Sequence, residues 1–172
     1  MTLVPLLAGT LAAAPLAPPA RVSQVYVQHL VAPPEKVLPL LTPLGERAWA
    51  SGWEPEMRWE PKGGGPGTLF VTRHPGHPET LWWLLVHDAA TGQVRYVHLT
   101  PGSDVTEIDI QLRPGPEGST LAEVRYTWTS LGPPGDALVR SKTPEAYEHF
   151  MREWERELNH YLTTGKQLPA GH

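Results

Sequence analysis

The sequence contains no cysteine among its 172 residues. Disulfide bonds, thiolate metal sites and cysteine nucleophiles are therefore excluded. Charged residues make up 19% of the chain and leave a net charge of −4 at pH 7. A protein that binds the phosphate backbone of a nucleic acid carries an excess of basic residues, so nucleic acid is not a predicted partner.

The sequence also lacks a long uninterrupted apolar run. Residues 1–20 carry no charge, but Pro5 and Pro15 interrupt them, and a helix that spans a bilayer needs ~20 apolar residues. Integral membrane association is therefore not predicted. Two interpretations of this segment stay open: an extension outside the folded domain, and a secretory signal without the usual basic start. A cytoplasmic location is favoured, with export as the alternative if residues 1–20 are a signal peptide.

Several motifs that carry chemistry are missing. The sequence has no Gly-x-Ser-x-Gly elbow and no His-Glu-x-x-His pair. The glycine-rich residues 63–67 are not followed by the Lys-Ser/Thr of a phosphate-binding loop, so a tight turn is favoured there. His74 and His77 have a spacing that two metal ligands can adopt, but a zinc site needs at least three convergent ligands. The sequence therefore predicts no metal and no cofactor.

Short alternating stretches separated by turn residues make up most of the chain, which is typical of an antiparallel sheet. A Pro-Pro-Glu sequence at Pro33 opens a short helix after the first of these stretches, and residues 46–50 are predicted to form a second. The predicted strands are residues 22–31, 56–60, 68–74, 79–87, 94–99, 105–112 and 120–129.

The last predicted element is a long helix. Thr143 is a suitable N-cap, Pro144 fits the first helical position, and Gly165 is placed to end the helix. Its three- and four-residue spacing of apolar side chains predicts one broad stripe that can cover a sheet. The stripe consists of Tyr147, Phe150, Met151, Trp154, Leu158, Tyr161 and Leu162.

Three features together resemble a known superfamily. They are the helical insertion opened by Ala32-Pro33-Pro34-Glu35-Lys36-Val37, the glycine turn at residues 63–68, and the aromatic final helix. Over residues 22–165 this order resembles the START/SRPBCC superfamily, which includes the pollen allergens, whose glycine-rich loop is similar to this turn, and the bacterial polyketide cyclases.

The resemblance implies an α+β helix-grip fold. In this fold a curved antiparallel sheet of about seven strands, with two short helices after the first strand, wraps around a long C-terminal helix. The predicted domain covers residues 21–168, between an N-terminal extension, residues 1–20, and a tail, residues 169–172.

The resemblance also implies an apolar cavity, since members of the superfamily bind lipids, sterols or polyketides. The leading hypothesis is a non-enzymatic domain that binds a small hydrophobic or amphipathic ligand. One alternative is a cyclase/dehydratase-type enzyme that acts on a polyketide-like or other apolar substrate. Another is a protein-interaction domain of the co-chaperone kind. The fold hosts many functions, and the sequence indicates neither the ligand nor the oligomeric state.

The predicted cavity wall follows from strand alternation and from the helix stripe. Glu107 and Asp109 alternate with apolar residues and are expected to face water, where they can form cross-strand pairs. The apolar and aromatic residues predicted to contact the ligand are Ile108, Ile110, Val124, Tyr126, Trp128, Phe150, Trp154 and Leu158.

Two polar side chains are the candidate catalytic residues. Tyr96 and His98 share one face of a predicted strand, and there they can act as acid and base if that face lines the cavity. If it faces solvent, they are ordinary surface residues. The inward face of residues 79–87 and 94–99 stays unassigned, because both faces are apolar. Alternation groups Leu81, Trp83, Leu85 and His87 on one face.

A charged and aromatic cluster lies in the helical insertion. It contains Glu46 and Arg47 beside Trp49 and Trp53. The cluster has two interpretations, a gate to the cavity and a local ion pair on a packed corner. The ion pair is the favoured one.

Overall fold

The computed structural model describes residues 18–73, 76 and 78–169. Within this part of the chain, seven strands form one antiparallel sheet in the order β1-β7-β6-β5-β4-β3-β2. The first and last strands of the chain are therefore neighbours, and both edges belong to early strands. The strands are β1 (Arg21–Leu30), β2 (Glu56–Trp59), β3 (Leu69–Thr72), β4 (Thr80–Asp88), β5 (Gln93–Thr100), β6 (Asp104–Pro114) and β7 (Thr120–Ser130).

Among the described residues, four α-helices accompany the sheet, and the last of them is the longest. They are α1 (Pro34–Val37), α2 (Pro43–Glu46), α3 (Pro133–Arg140) and α4 (Pro144–Thr164), with 3₁₀ turns at Leu38–Leu41 and Pro116–Gly118. No helix of the described residues is long and apolar enough to cross a membrane.

The second helix of the insertion begins earlier than the sequence predicts. Residues 46–50 were expected to form it, whereas α2 ends at Glu46. The side-chain oxygen of Thr42 accepts a hydrogen bond from the amide of Gly45 at 2.9 Å, and Pro43 occupies the first turn. A capping threonine followed by proline is a strong helix start, and this local signal fixes the position of α2.

The inner face of the sheet is set by strict alternation in β6 and β7. Ile108 lies opposite Tyr126, and Ile110 lies opposite Val124; all four are buried. The charged residues between them point outward as predicted, since Asp109 pairs across the strands with Arg95 at 2.5 Å.

A bulge in β4 changes the faces that simple alternation predicts. Leu84 lies opposite Tyr96, and Val86, two positions on, lies opposite the adjacent Arg95. The register therefore shifts between Leu84 and Val86. Trp83 is 49% exposed on the outer face, whereas Leu84 is fully buried. Past the bulge, His87 lies opposite the buried Val94. Because of this extra residue, the prediction that Leu81, Trp83, Leu85 and His87 share one face is wrong.

Helix α4 packs against the concave side of the sheet and begins and ends where the sequence predicts. The Thr143 hydroxyl accepts a hydrogen bond from the amide of Ala146 at 3.2 Å, and Gly165 closes the helix with a left-handed backbone, φ 68°. Tyr147, Met151 and Leu158 are its buried residues.

The polar side of α4 closes one edge of the sheet. The Asn159 side-chain amide donates to the carbonyl of His29 at 2.8 Å, and its oxygen accepts from the amide of Val31 at 2.9 Å. Glu155 accepts from the amide of His29 at 3.2 Å. The edge strand β1 therefore has backbone groups paired by helix side chains, and this fixes the helix against the sheet.

Candidate functional site

A cavity of about 680 Å³ lies between the inner face of the sheet and the helices. Strands β4 to β7 form one wall, and α2, α3 and the first half of α4 form the other. The cavity is lined by aromatic, charged and polar side chains, among them Glu46, Trp53, Trp82, His98, Asp104, Tyr126, Trp128, Lys142, Phe150 and Trp154.

Aromatic rings make up most of the apolar wall. Trp53 and Trp82 meet edge to face with ring centroids 5.3 Å apart, and Tyr126 lies 5.3 Å from Trp128. The indole N–H of Trp53 donates to the carbonyl of Pro43, and that of Trp82 donates to the hydroxyl of Thr72, both at 2.9 Å. The polar end of each indole is thus paired with protein, so the rings offer the cavity their apolar surface.

Glu46, the last residue of α2, is a buried carboxyl at the cavity wall. Its residue is 4% exposed, and burial raises the pKa of this carboxyl to about 8. Within the described residues its carboxyl has no hydrogen bond or ion pair. The neighbouring Arg47 pairs with Glu54 at 3.6 Å and donates to the carbonyl of Pro55. The local ion pair therefore forms without Glu46, whose carboxyl is mostly protonated at neutral pH.

His98 is the second titratable group at the wall. Its ring lies 4.4 Å from that of Trp82, and its Nδ1 is buried with no hydrogen-bond partner among the described residues. Burial lowers the pKa of His98 to about 4; the Asp104 carboxylate opposes this shift and the Lys142 ammonium adds to it. The imidazole is consequently neutral at neutral pH.

Tyr96 and His98 both lie on the inner face of the sheet, which sequence reasoning left unassigned. The Tyr96 hydroxyl donates to the carbonyl of Leu41 at 2.9 Å, and burial raises its pKa well above the ordinary value. Tyr96 thus holds the helical insertion against the sheet. The two candidate catalytic residues therefore share the inner face of the sheet, but the hydroxyl proton of Tyr96 is already donated to a backbone carbonyl.

Asp104 and Lys142 lie near His98. The Asp104 carboxylate accepts hydrogen bonds from the hydroxyls of Ser103 at 2.8 Å and Thr106 at 2.7 Å. The Lys142 ammonium lies 5.7 Å from the ring centroid of Trp128, in range of a cation–π contact. Sequence reasoning missed both, although Asp104 continues the inward alternation of Thr106 and Ile108.

The structure divides the predicted ligand contacts into three groups. Tyr126, Trp128, Phe150 and Trp154 line the cavity. Ile108 and Ile110 border a second void of about 20 Å³ beside it. Val124 and Leu158 are buried in the core and border neither space. Glu46, Trp53 and Trp82 border both spaces, and sequence reasoning did not name them as ligand contacts. His74 and His77 lie outside the described residues.

Comparison with solved structures gives the fold. Norcoclaurine synthase from Thalictrum flavum superposes with a TM-score of 0.62 at 12% sequence identity, over 95% of this chain and 99% of that one. Ara h 8.0201 gives 0.59 at 18% identity, over 84% and 99%. A protein from Rhodobacter sphaeroides gives 0.56 at 24% identity, over 83% and 91%.

Comparison with family models and with curated proteins gives no match. At these identities the structural likeness establishes the architecture alone, which is the α+β helix-grip fold predicted from the sequence. Function has to be argued from the cavity itself.

Proposed function

We propose that this helix-grip domain binds a small hydrophobic or amphipathic molecule in the cavity between the sheet and α4. The observation that carries the proposal is the cavity of about 680 Å³ with its aromatic wall. Small-molecule sites are typically ~300–1,000 Å³, mostly apolar, and supplied with a few polar groups that orient the ligand. Ligand burial in such a site is driven by the removal of apolar surface from water.

The elements around the cavity support the same proposal. Phe150 is 43% exposed although it lies on the apolar stripe of α4, and its ring lies 6.1 Å from that of Tyr126 on the sheet side. An aromatic side chain that borders open space between helix and sheet has a ring face that a ligand can contact.

A cyclase/dehydratase-type enzyme is the second candidate, and the unpaired Nδ1 of His98 is the observation in its favour. A neutral imidazole in a cavity can accept a proton from a substrate. The Tyr96 hydroxyl, however, donates to the backbone of Leu41, which weakens the tyrosine–histidine acid–base pair. Binding without catalysis therefore remains the preferred function.

Saturable binding of a neutral fluorescent probe, N-phenylnaphthylamine, tests the proposal. We expect one site per molecule in the wild type. Ala146 borders the cavity in the first turn of α4, so Ala146→Trp fills the entrance and should weaken probe binding at least tenfold. Thr163→Trp places the same ring on an exposed position near the end of that helix and should leave binding unchanged.

Native mass spectrometry of the protein purified from its own host then identifies what it carries. A bound small molecule that Ala146→Trp displaces would support the proposal. If the wild type shows no saturable probe binding, the proposed ligand-binding function is wrong, and the protein-interaction hypothesis takes its place.

A further inference from the structure

Glu46 differs from every other carboxyl that borders the cavity. Asp104 accepts two hydroxyl hydrogen bonds, Glu153 pairs with Arg156 at 3.8 Å, and Glu157 accepts from the amide of Ser51 at 3.2 Å. Glu46 is as buried as Asp104, with both residues 4% exposed, but it has no such partner within the described residues. Ionisation of a buried carboxyl without a partner costs free energy, and a positively charged ligand can supply the missing partner.

The surroundings of Glu46 suit a positive charge. The carboxyl borders both the cavity and the void beside it, together with the rings of Trp53, Trp82, Tyr126 and Trp154. Aromatic faces attract organic cations, most strongly where water is excluded, and a carboxylate supplies the opposite charge. A carboxyl among aromatic rings is therefore a site for an ammonium group with an apolar body.

The charge balance of the whole cavity points the same way. Its acidic residues are Glu46, Asp104, Glu153 and Glu157, and its basic residues are Lys142 and His98, whose imidazole is neutral at neutral pH. The Lys142 ammonium lies over Trp128 and near His98. A cavity with an excess of carboxylates concentrates cations and disfavours anions.

We infer that the ligand is a cationic amphiphile, a protonated amine on an aromatic or alkyl body, and that the Glu46 carboxylate is its counter-ion. This inference rests on the proposed function and names the class of molecule that the cavity selects. Binding of the ammonium ionises Glu46, so one proton leaves the carboxyl for solvent as the ion pair forms.

Proton release makes the affinity depend on pH. Burial holds the pKa of Glu46 at about 8 in the empty cavity, so the ionised fraction rises from ~1% at pH 6 to about half at pH 8, and amine affinity should rise ~50-fold. Burial raises the pKa of Tyr96 and Tyr126 and lowers that of His98 to about 4, so these three groups keep their charge over this range. The other charged side chains that line the cavity are Asp104, Glu153, Glu157 and Lys142.

Three probes with one apolar body and different head groups test the inference: phenylbutylamine, phenylbutanol and phenylbutyrate. Calorimetry at pH 6, 7 and 8 should give an amine affinity that rises ~50-fold with pH, alcohol affinity that stays constant, and the weakest binding for the acid. In wild-type protein at pH 7, titration in two buffers of different ionisation enthalpy should detect close to one proton released per amine bound. This measurement requires no variant.

Glu46→Gln keeps the size of the side chain and removes its charge. It should abolish the pH dependence and the advantage of the amine over the alcohol, while the alcohol binds within about twofold of wild type. Glu153→Gln removes an exposed cavity carboxylate instead and should retain the pH dependence.

The outcomes separate this inference from the proposed function. If the alcohol binds but the amine binds no tighter, or releases no proton, the cationic ligand is ruled out and the binding cavity stands. If the amine gains affinity with pH equally in Glu46→Gln, Glu46 is not the counter-ion and the inference is overturned. If none of the three probes binds at any pH, the proposed function fails and the inference fails with it.

Discussion

Glu46 and His98 show how one environment shifts two titratable groups in opposite directions. Burial disfavours the charged form of each, so it raises the pKa of the Glu46 carboxyl to about 8 and lowers that of the His98 imidazole to about 4. Both side chains are therefore neutral at the cavity wall at neutral pH. Burial thus leaves an acid and a base on the wall of one cavity without a charge on either.

The stability of the protein should reflect these shifts. Between the unfolded pKa of a glutamate, about 4.5, and the folded value of about 8, the folded state binds the Glu46 proton and the unfolded state does not. Stability from this group is complete below the lower value and falls as pH rises through the higher one, at up to ~1.4 kcal/mol per pH unit. His98 acts in the opposite sense, because its folded pKa is depressed, and lowers stability as pH falls from 6.5 towards 4.

Glu46→Gln should therefore change the slope of stability against pH. We expect the free energy of unfolding of the variant to rise steadily relative to that of the wild type from pH 5 to pH 8, by a total of roughly 2–4 kcal/mol. Urea unfolding at four pH values measures the difference, and the acid-side loss due to His98 should be the same in both proteins. A constant difference across this range would show that the Glu46 carboxyl ionises normally in the fold.

At the scale of the element, α4 carries three functions on three sides. Met151 and Leu158 are buried in the core, Phe150 and Trp154 border the cavity, and Asn159 pairs with the backbone of β1. An apolar stripe wider than the core contact leaves aromatic side chains over the cavity. The apolar stripe of α4 therefore supplies both the core contact of the helix and part of the cavity wall.

This division predicts different outcomes for two truncations on α4. Met151→Ala deletes a fully buried side chain and should cost ~2–5 kcal/mol in the free energy of unfolding, with the probe affinity of the folded protein unchanged. Trp154 packs edge to face on Trp49 at 5.3 Å but borders the cavity. Trp154→Ala should cost less than the ~3–5 kcal/mol of a core tryptophan and should change probe affinity.

Chemical denaturation and N-phenylnaphthylamine titration of both variants make the comparison. A full core-sized loss for Trp154→Ala without a change in binding would place this ring in the core alone. Equal effects of both variants on binding would mean that the measurement reports stability and not contact with the probe.

At the scale of the whole molecule, the residue before the first strand is hydrogen-bonded to the end of the last strand and to α3. Ala20, the last residue of the predicted extension, is buried; its amide donates to the Asp136 carboxylate at 3.0 Å, and its carbonyl accepts from the amide of Ser130 at 2.9 Å. Asp136 also accepts from the hydroxyl of Ser130 at 2.6 Å. The start of β1, the end of β7 and α3 are tied together at this point.

Two truncations test where the folded domain begins. Residues 1–17 have no periodicity of a helix or strand, so their deletion should leave the melting temperature within ~1 °C of wild type. Deletion of residues 1–20 also removes the two Ala20 hydrogen bonds and should lower it by roughly 5 °C. Calorimetry of both forms is the measurement, and a large loss from the shorter deletion would make those residues part of the core.

The sequence alone was enough for the architecture, because that information is local. Turn residues separate the strands, Thr143, Pro144 and Gly165 bound the long helix, and alternation in β6 and β7 identifies the inner face through Ile108 and Tyr126. These signals depend on neighbours within a few positions along the chain. The predicted ligand contacts that line the cavity came from the same periodicity, and their contact with a ligand stays a prediction.

The position of the polar groups was decided by tertiary structure. The bulge in β4 between Leu84 and Val86 places His87 opposite the buried Val94, away from the face of the exposed Trp83. No pattern in residues 79–87 predicts this bulge, because both faces are apolar. Glu46 is an ionisable residue next to Arg47, so the sequence favoured a local ion pair on a packed corner. Its burial comes from strands far along the chain that enclose it, and a pKa depends on that enclosure in space.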